Sequence, residues 1–229
     1  MKFFRVFIIL FLINLSLDIY FNNAKEFYEL RLLTKPLITI LLGIFFYLNS
    51  TKMLLVHRAS VLGALFFLCV GDIVLLEDTS FYSFMGGLLS FLIALLFYSF
   101  YFYRQTVYDV DRLIPFLAIS LLIALFLMYF MFDGLNNMLI PVMIYIATVL
   151  NFTKIAFLRY KNVNKKSYHL VLIGALLFSI TQTIVGLNAF YRAIPHKDIC
   201  IMLFYGMSQL CIILGILYLK PFNENVPNS

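Results

Sequence analysis

The chain has 229 residues, of which 63% are hydrophobic and only 12% are charged, and its mean hydropathy is +0.98. Soluble domains average about 45–50% apolar and about 25% charged residues, so this composition excludes a soluble globular protein. The apolar segments are continuous blocks, unlike the alternating pattern typical of a membrane β-barrel. The net charge of +6 comes from cations that lie mostly between these blocks, which argues against the clustered basic face of a nucleic-acid-binding protein.

The apolar blocks predict an all-α polytopic membrane protein with eight spans. A span needs about 20 mostly apolar residues, so eight spans leave no room for a soluble domain, and residues 1–229 form one domain. The predicted spans cover residues 3–22, 36–50, 57–77, 82–103, 113–132, 138–158, 167–189 and 199–219. Lys35 and Pro36 open the second span, because proline fits a first helical turn. The first block follows Lys2 and Arg5 as in a signal peptide, but no small-residue cleavage site follows it, so we expect it to be retained.

Lys and Arg residues are distributed unevenly between the two sides of this arrangement. Eleven lie on the side of the amino end, five lie on the other side, and Lys154 lies within a span. Because cytoplasmic connections carry the excess of Lys and Arg, both termini are predicted to be cytoplasmic. The expected location is the inner membrane of a bacterium.

Two short motifs recur along the chain. GALFF at Gly63–Phe67 returns as GALLF at Gly174–Phe178, 111 residues later, and KPL at Lys35–Leu37 pairs with IPV at Ile140–Val142. Both GAL segments begin spans that enter from the cytoplasmic side, which favours a parallel repeat of four helices plus four, as found in transporters. In so apolar a chain such matches also arise by chance, and both explanations stay open.

Polar residues at one depth are the candidate functional residues. Asp72 lies five residues before Glu77, about 7–8 Å inside the outer end of its span at 1.5 Å per residue. An aspartate at such depth costs about 2.5–3.5 kcal/mol on insertion scales, so it seldom lacks a role. The other polar residues at similar depth are Lys35, Tyr145, Gln182, Tyr205 and Gln209. Each alone could be an interhelical hydrogen-bonding group, but together they predict a polar pocket that opens toward the outer leaflet.

The sequence carries no sign of a cofactor or a metal. It contains no GxSxG, P-loop or GxGxxG motif, and its three histidines lie at span ends. The three cysteines have neither metal-ligand nor disulfide spacing. Any catalysis would therefore rest on a carboxylate, with a phenol, an amine or an amide assisting it.

Six blocks make the chain resemble the YhhN (lysoplasmalogenase) family of eight-span membrane proteins. Their order and spacing are more specific than any one of them, and the resemblance runs from about Lys35 to Leu219. The blocks are KPL at Lys35–Leu37, GALFFLCVGD at Gly63–Asp72, FMGGLLSFLIALLFY at Phe84–Tyr98, PVMIY at Pro141–Tyr145, GALLFSITQ at Gly174–Gln182 and YGMSQL at Tyr205–Leu210.

The resemblance implies hydrolysis of the vinyl-ether bond of lyso-alkenyl phospholipids, which gives a fatty aldehyde and a glycerophospho-headgroup without a cofactor. Asp72 would be the catalytic residue, protonating the vinyl-ether carbon or helping water to add. The expected substrate-binding residues are Lys35, Tyr145, Gln182, Tyr205 and Gln209. The expected partner is a membrane lipid, as substrate or ligand, and not a nucleic acid; the sequence does not fix the oligomeric state.

The chain departs from the family's pattern at two positions. Gln182 stands where the resemblance implies a second aspartate, and Leu95 stands where it implies a histidine. Glutamine can orient water but cannot exchange protons at neutral pH. Three hypotheses follow: an ether-lipid hydrolase that depends on Asp72, a non-catalytic lipid-binding or structural member of the family, and a small transporter built on the repeat.

Overall fold

Long apolar runs can satisfy their backbone groups in a bilayer only as helices or closed barrels, and the long apolar runs of the described residues form helices. The computed structural model describes residues 2–76 and 81–219, and this part contains eight α-helices and two short 3-10 helices but no strand. The α-helices are α1 (Lys2–Asn23), α2 (Arg31–Asn49), α3 (Leu55–Val74), α4 (Phe81–Tyr103), α5 (Val110–Leu135), α6 (Leu139–Phe157), α7 (Lys165–Phe190) and α8 (Lys197–Leu217). The predicted all-α class is confirmed.

Seven segments of the described chain are long and apolar enough to cross a membrane. Six of these segments correspond to single helices. The seventh, Val110–Phe157, joins α5, a 3-10 turn over Asn136–Met138, and α6 in one apolar stretch of 48 residues. The chain is a multi-pass membrane protein, and its division into eight spans stays a prediction.

Helix α2 begins five residues earlier than predicted. It starts at Arg31, directly after the 3-10 helix Lys25–Leu30, so Pro36 lies inside the helix and the prediction of a first-turn proline was wrong. The hydroxyl of Thr39 donates to the carbonyl of Pro36 at 2.9 Å. The added turn places Arg31 and Lys35 four residues apart on one helical face. Both side chains are buried.

The other helices agree with the predicted spans to within three residues at each end that the structure describes. Glu77 and Lys220, on which the predicted depth of Asp72 and part of the charge count depend, lie outside the described residues.

The helices pack chiefly against their neighbours in the chain. The closest pairs are α3 with α4 and α7 with α8, while α1 and α2 both contact α8. Helix α5 packs against α6 and α7, and its buried side chains are Ser120, Met131 and Leu135. Met131 and Leu135 belong to a small apolar cluster with Met138 and Val142 at the carboxyl end of α5. We call the end of the bundle that holds this cluster and Asp72 the outer end, and the opposite end, which holds Arg159, the inner end. The inner half of α5, which lies beyond this cluster, borders a cavity.

Arg159 is fully buried at the end of the bundle opposite Asp72. Its Nη2 donates to Gln105 Oε1 at 2.8 Å and to Ser167 Oγ at 2.9 Å, and the Ser167 hydroxyl donates to the carbonyl of Gly215 at 2.7 Å. Burial lowers the pKa of Arg159 to about 10, so the guanidinium stays charged at neutral pH. This arginine therefore joins the inner ends of the helices instead of facing solvent.

Candidate functional site

Asp72 lies in the last turn of α3 and is only 1% exposed. The hydroxyl of Tyr205, from α8, donates to Asp72 Oδ2 at 2.8 Å. The Tyr205 ring is also buried, with its centroid 6.0 Å from that of Phe91 on α4. Three helices thus fix the position of one carboxylate, and a phenol holds one of its two oxygens.

Two cations from α2 accompany this carboxylate. Arg31 and Lys35 lie in the same cavity wall as Asp72 and interact electrostatically with it. Both side chains are buried, at 8% and 6% exposure. Since burying a charge is costly unless an opposite charge compensates it, the carboxylate and the two cations depend on one another.

A second carboxylate, Asp18 of α1, belongs to the same network. It is fully buried; its Oδ1 accepts the hydroxyl hydrogen of Thr34 at 2.8 Å and lies 3.7 Å from Arg31 Nε. The amide of Asn14, one turn earlier on α1, donates to the backbone carbonyl of Thr34 at 3.0 Å. Helix α1 therefore holds the turn of α2 that carries both cations.

A cavity of about 780 Å³ continues from this network along apolar residues of α5, α6 and α7. Its outer end includes Arg31, Lys35, Asp72 and Lys197. From there it extends between α5 and the pair α6–α7, as far as Arg112 and Phe157 near the inner ends of the helices. The apolar arm along α5 is lined by Phe116, Ile119, Ile123 and Leu127. The cavity therefore has a charged end and a long apolar arm.

Five of the six predicted site residues line this cavity: Lys35, Asp72, Tyr145, Gln182 and Tyr205. The sixth does not. Gln209 is fully buried one turn from Tyr205, and its Oε1 accepts the hydroxyl hydrogen of Tyr98 at 3.1 Å. The functional roles assigned to these residues stay predictions.

Tyr145 carries the clearest mark of a binding residue. Its hydroxyl lies in the cavity wall, is buried, and has no hydrogen-bond partner within the described protein. A buried polar group without a partner costs about 1–3 kcal/mol. A polar group of a ligand in the cavity would remove that cost.

The two positions that depart from the family's pattern have different surroundings. Gln182 lies in the cavity wall, so an acid at this position would face a ligand. Leu95 is packed in the main apolar core and is not part of the cavity wall. The glutamine is therefore the departure with the more direct consequence for chemistry.

In the described residues, no group of three or more His, Cys, Asp and Glu side chains could hold a metal ion.

Comparison with family models gives a match to the YhhN family over residues 30–216. The chain belongs to the YhhN family. This family includes lysoplasmalogenases. A search of curated proteins gives no match to the chain, and a search of solved structures gives none either.

The matched region of this YhhN protein contains all six predicted site residues and begins after α1. Sequence reasoning gave no site role to Arg31, Asp18 or Tyr98. A signal existed for the first two, because Arg31 and Lys35 are four residues apart, as are Asn14 and Asp18, and such pairs share a helical face. Tyr98 had no such signal, because its partner Gln209 lies 111 residues later on α8 and only the tertiary fold brings the two side chains together.

We expect Tyr98→Phe to lower the free energy of unfolding by about 1–3 kcal/mol, the cost of an unpaired buried polar group. The substitution leaves both side-chain polar atoms of Gln209 without a partner, because its Nε2 already lacks one. Thermal unfolding of the purified protein in detergent measures the effect. Adding Gln209→Leu removes the stranded amide and should restore most of the loss, while Tyr129→Phe, at a 79% exposed site, is the neutral control. Equal midpoints for Tyr98→Phe and Tyr129→Phe would contradict this account.

Proposed function

We propose that this protein is a membrane hydrolase of the lysoplasmalogenase type, which cleaves the vinyl-ether bond of lyso-alkenyl phospholipids. The observation that carries the proposal is the position of Asp72, bound by Tyr205 and close to Lys35, where the charged end of the cavity meets its apolar arm. Membership of a family that includes lysoplasmalogenases supports the same activity.

The shape and charge of the cavity suit a phospholipid with one chain. Arg31, Lys35 and Lys197 supply cations at the outer end, and cationic side chains bind phosphate through charge-assisted hydrogen bonds. The arm along α5 offers an apolar surface to the alkenyl chain. The volume of about 780 Å³ falls in the range of about 300–1,000 Å³ usual for ligand pockets. A vinyl ether joins headgroup to chain, so it would lie at the level of Asp72.

In the proposed reaction, the Asp72 carboxylic acid donates its proton to the vinyl-ether carbon that is not bonded to oxygen. The double bond supplies the electron pair, and an oxocarbenium ion forms at the neighbouring carbon. Water adds to that carbon and returns a proton to the Asp72 carboxylate. The resulting hemiacetal breaks its bond to the glycerol oxygen, giving the aldehyde and the free hydroxyl of the headgroup.

The neighbours of Asp72 have distinct parts in this scheme. Lys35 stabilises the carboxylate that remains after proton transfer. Tyr205 holds one carboxylate oxygen and leaves the other for the substrate. Tyr145 donates its unpaired hydroxyl hydrogen to the ether oxygen or to water, and Gln182 accepts a hydrogen bond from the attacking water.

Gln182 also favours a second candidate function, which is lipid binding without turnover. An amide in the cavity wall can hold a headgroup or a water, but it cannot supply the second acid that the family resemblance implies.

We further propose that the chain crosses the bacterial inner membrane eight times, with both termini in the cytoplasm. The segment Val110–Phe157 has 48 residues, about twice what one crossing needs, and Asn136 in its turn has a φ of 40°.

A parallel repeat of four helices plus four is supported by two observations. Gly63 faces the α4 side chain Phe97 as Gly174 faces Ile212 of α8, and the hydrogen-bonded pair Tyr98 and Gln209 is separated by the same 111 residues as the two glycines.

Replacing Asp72 by Asn should abolish aldehyde release from a lyso-alkenyl phospholipid, because the amide cannot donate the required proton. The assay measures aldehyde formed by purified protein in detergent micelles. The matched control is Asp133→Asn, an exposed carboxylate on α5, which should keep the wild-type rate. Equal rates for wild type and Asp72→Asn would contradict the proposal.

The cavity arm predicts a chain-length effect. Ser120 is a small buried residue of α5 in the cavity wall, so Ser120→Phe should obstruct the arm. We expect at least a tenfold loss of kcat/KM for long alkenyl chains, about 1.4 kcal/mol of lost binding, and little change for short chains. Rates measured across a series of chain lengths test this, and a uniform loss over the series would contradict a chain-binding arm.

The same assay separates the two candidate functions. If the protein only binds lipid, Gln182→Asp should create an activity that the parent lacks, since it restores an acid to the cavity wall. If the protein is a hydrolase as proposed, the parent already releases aldehyde. Gln182→Glu, which places the same charge one methylene further into the cavity, is the matched comparison.

A further inference from the structure

Asp18 lies outside the family-matched residues, yet its contacts belong to the candidate site. We infer that Asp18 is a positioning residue that supplies the second negative charge of the site and holds Arg31. In this way Asp72 can exchange a proton instead of remaining the fixed counter-ion of two cations. The inference deepens the proposed function and rests on it for the chemical role of Asp72.

The geometry ties Asp18 to the turn of α2 that faces the cavity. Its Oδ1 is 2.8 Å from the Thr34 hydroxyl and 3.7 Å from Arg31 Nε, and Lys35 follows Thr34 directly in the chain. Its Oδ2 is buried and makes no hydrogen bond to the described protein. Asp18 is not part of the cavity wall, so it acts on the substrate only through other residues.

The electrostatic consequence follows from the sum of charges. With Asp18, the two carboxylates and the two cations sum to zero when all are ionised. Without it, Arg31 and Lys35 would act on Asp72 with no second negative charge beside them, and they would favour its ionised form. Asp18 neutralises Arg31 and also repels negative charge on Asp72, and both effects favour the protonated form that the proposed reaction needs.

The position of this charge is informative because Gln182 leaves the cavity wall without the acid that the resemblance implies. Asp18 contributes a carboxylate from the opposite side of the cation pair, through a helix that the family match does not include. Asp18 and Asp72 thus both accompany this cation pair, and of these two carboxylates Asp72 is the one that lines the cavity.

Several groups from the surrounding helices interact electrostatically with the hydrogen-bonded pair of Asp72 and Tyr205. They are Asp18 from α1, Arg31 and Lys35 from α2, Cys69 from α3, and Tyr98 from α4. Removal of Asp18 changes the charge of this set by one and leaves its other members in place.

The test follows the protonation of Asp72 directly. Infrared spectra of the purified full-length protein are recorded across a pH range, and the carboxylic-acid C=O band of Asp72 is assigned by its loss in Asp72→Asn. In Asp18→Asn we expect the pH midpoint of this band's titration to move down by about one unit, the size of shift that one nearby charge produces at a carboxyl group. The pH–rate profile of aldehyde release should move in the same direction, whereas Asp18→Glu should keep both near the wild-type values.

Asn14→Ala is the matched control, because it removes an uncharged contact to Thr34 at the same interface. This variant should alter the thermal stability of the protein without changing the pH midpoint of the Asp72 band. If Asp18→Asn behaves like Asn14→Ala, with an unchanged midpoint, Asp18 is only structural and the inference fails.

A second pair of variants keeps the test decisive if Asp18→Asn does not fold. Arg31→Gln alone should raise the midpoint of the Asp72 band, and Asp18→Asn with Arg31→Gln should return it close to wild type. An unchanged midpoint in Arg31→Gln overturns the inference. If the wild type releases no aldehyde, the proposed function fails, but the band still decides whether Asp18 controls the charge of Asp72.

Discussion

The burial of four charges at one end of the helical bundle is the constraint on which the rest of the structure depends. Asp18, Arg31, Lys35 and Asp72 come from three successive helices, and all are at most 8% exposed. An isolated charge at this depth would raise the free energy of the folded protein, so each charge must be compensated by an opposite charge or a hydrogen bond. Thr34 and Tyr205 supply the hydrogen bonds. This requirement therefore constrains how α1, α2 and α3 can pack against one another.

The cavity connects this charge network to the space that a ligand would occupy. Helix α5 packs through its outer end and along α6 and α7, and the space beside its inner half continues from the charged end. A molecule that fills this space would need a polar head and an apolar chain, and its junction would meet Asp72. Conversion of such a molecule requires a group that can both lose and regain a proton, and a carboxylate between compensated cations is suited to that task.

Much of the fold could be predicted from the sequence, because apolar blocks of fixed length admit few structures in a membrane. The start of α2 could not, since a proline is typical of a first helical turn, whereas this helix begins five residues before Pro36. Depth along the helices predicted six site residues, and five of them line one cavity. Depth does not determine the direction in which a side chain points. Gln209 has the right depth and shares a face with Tyr205, yet its side-chain oxygen is hydrogen-bonded to Tyr98 of α4 instead of lining the cavity. In the same way, the position of Arg159 among the predicted cytoplasmic cations does not indicate that its side chain is buried.

The most direct test of the central claim is the deuterium content of the aldehyde that the purified protein forms from a lyso-alkenyl phospholipid in D₂O, trapped at once by reduction and analysed by mass spectrometry. Proton transfer from Asp72 to carbon predicts one deuterium at the carbon next to the carbonyl, with no aldehyde formed by Asp72→Asn. An aldehyde without that deuterium, or the same labelled aldehyde from Asp72→Asn, would contradict the account.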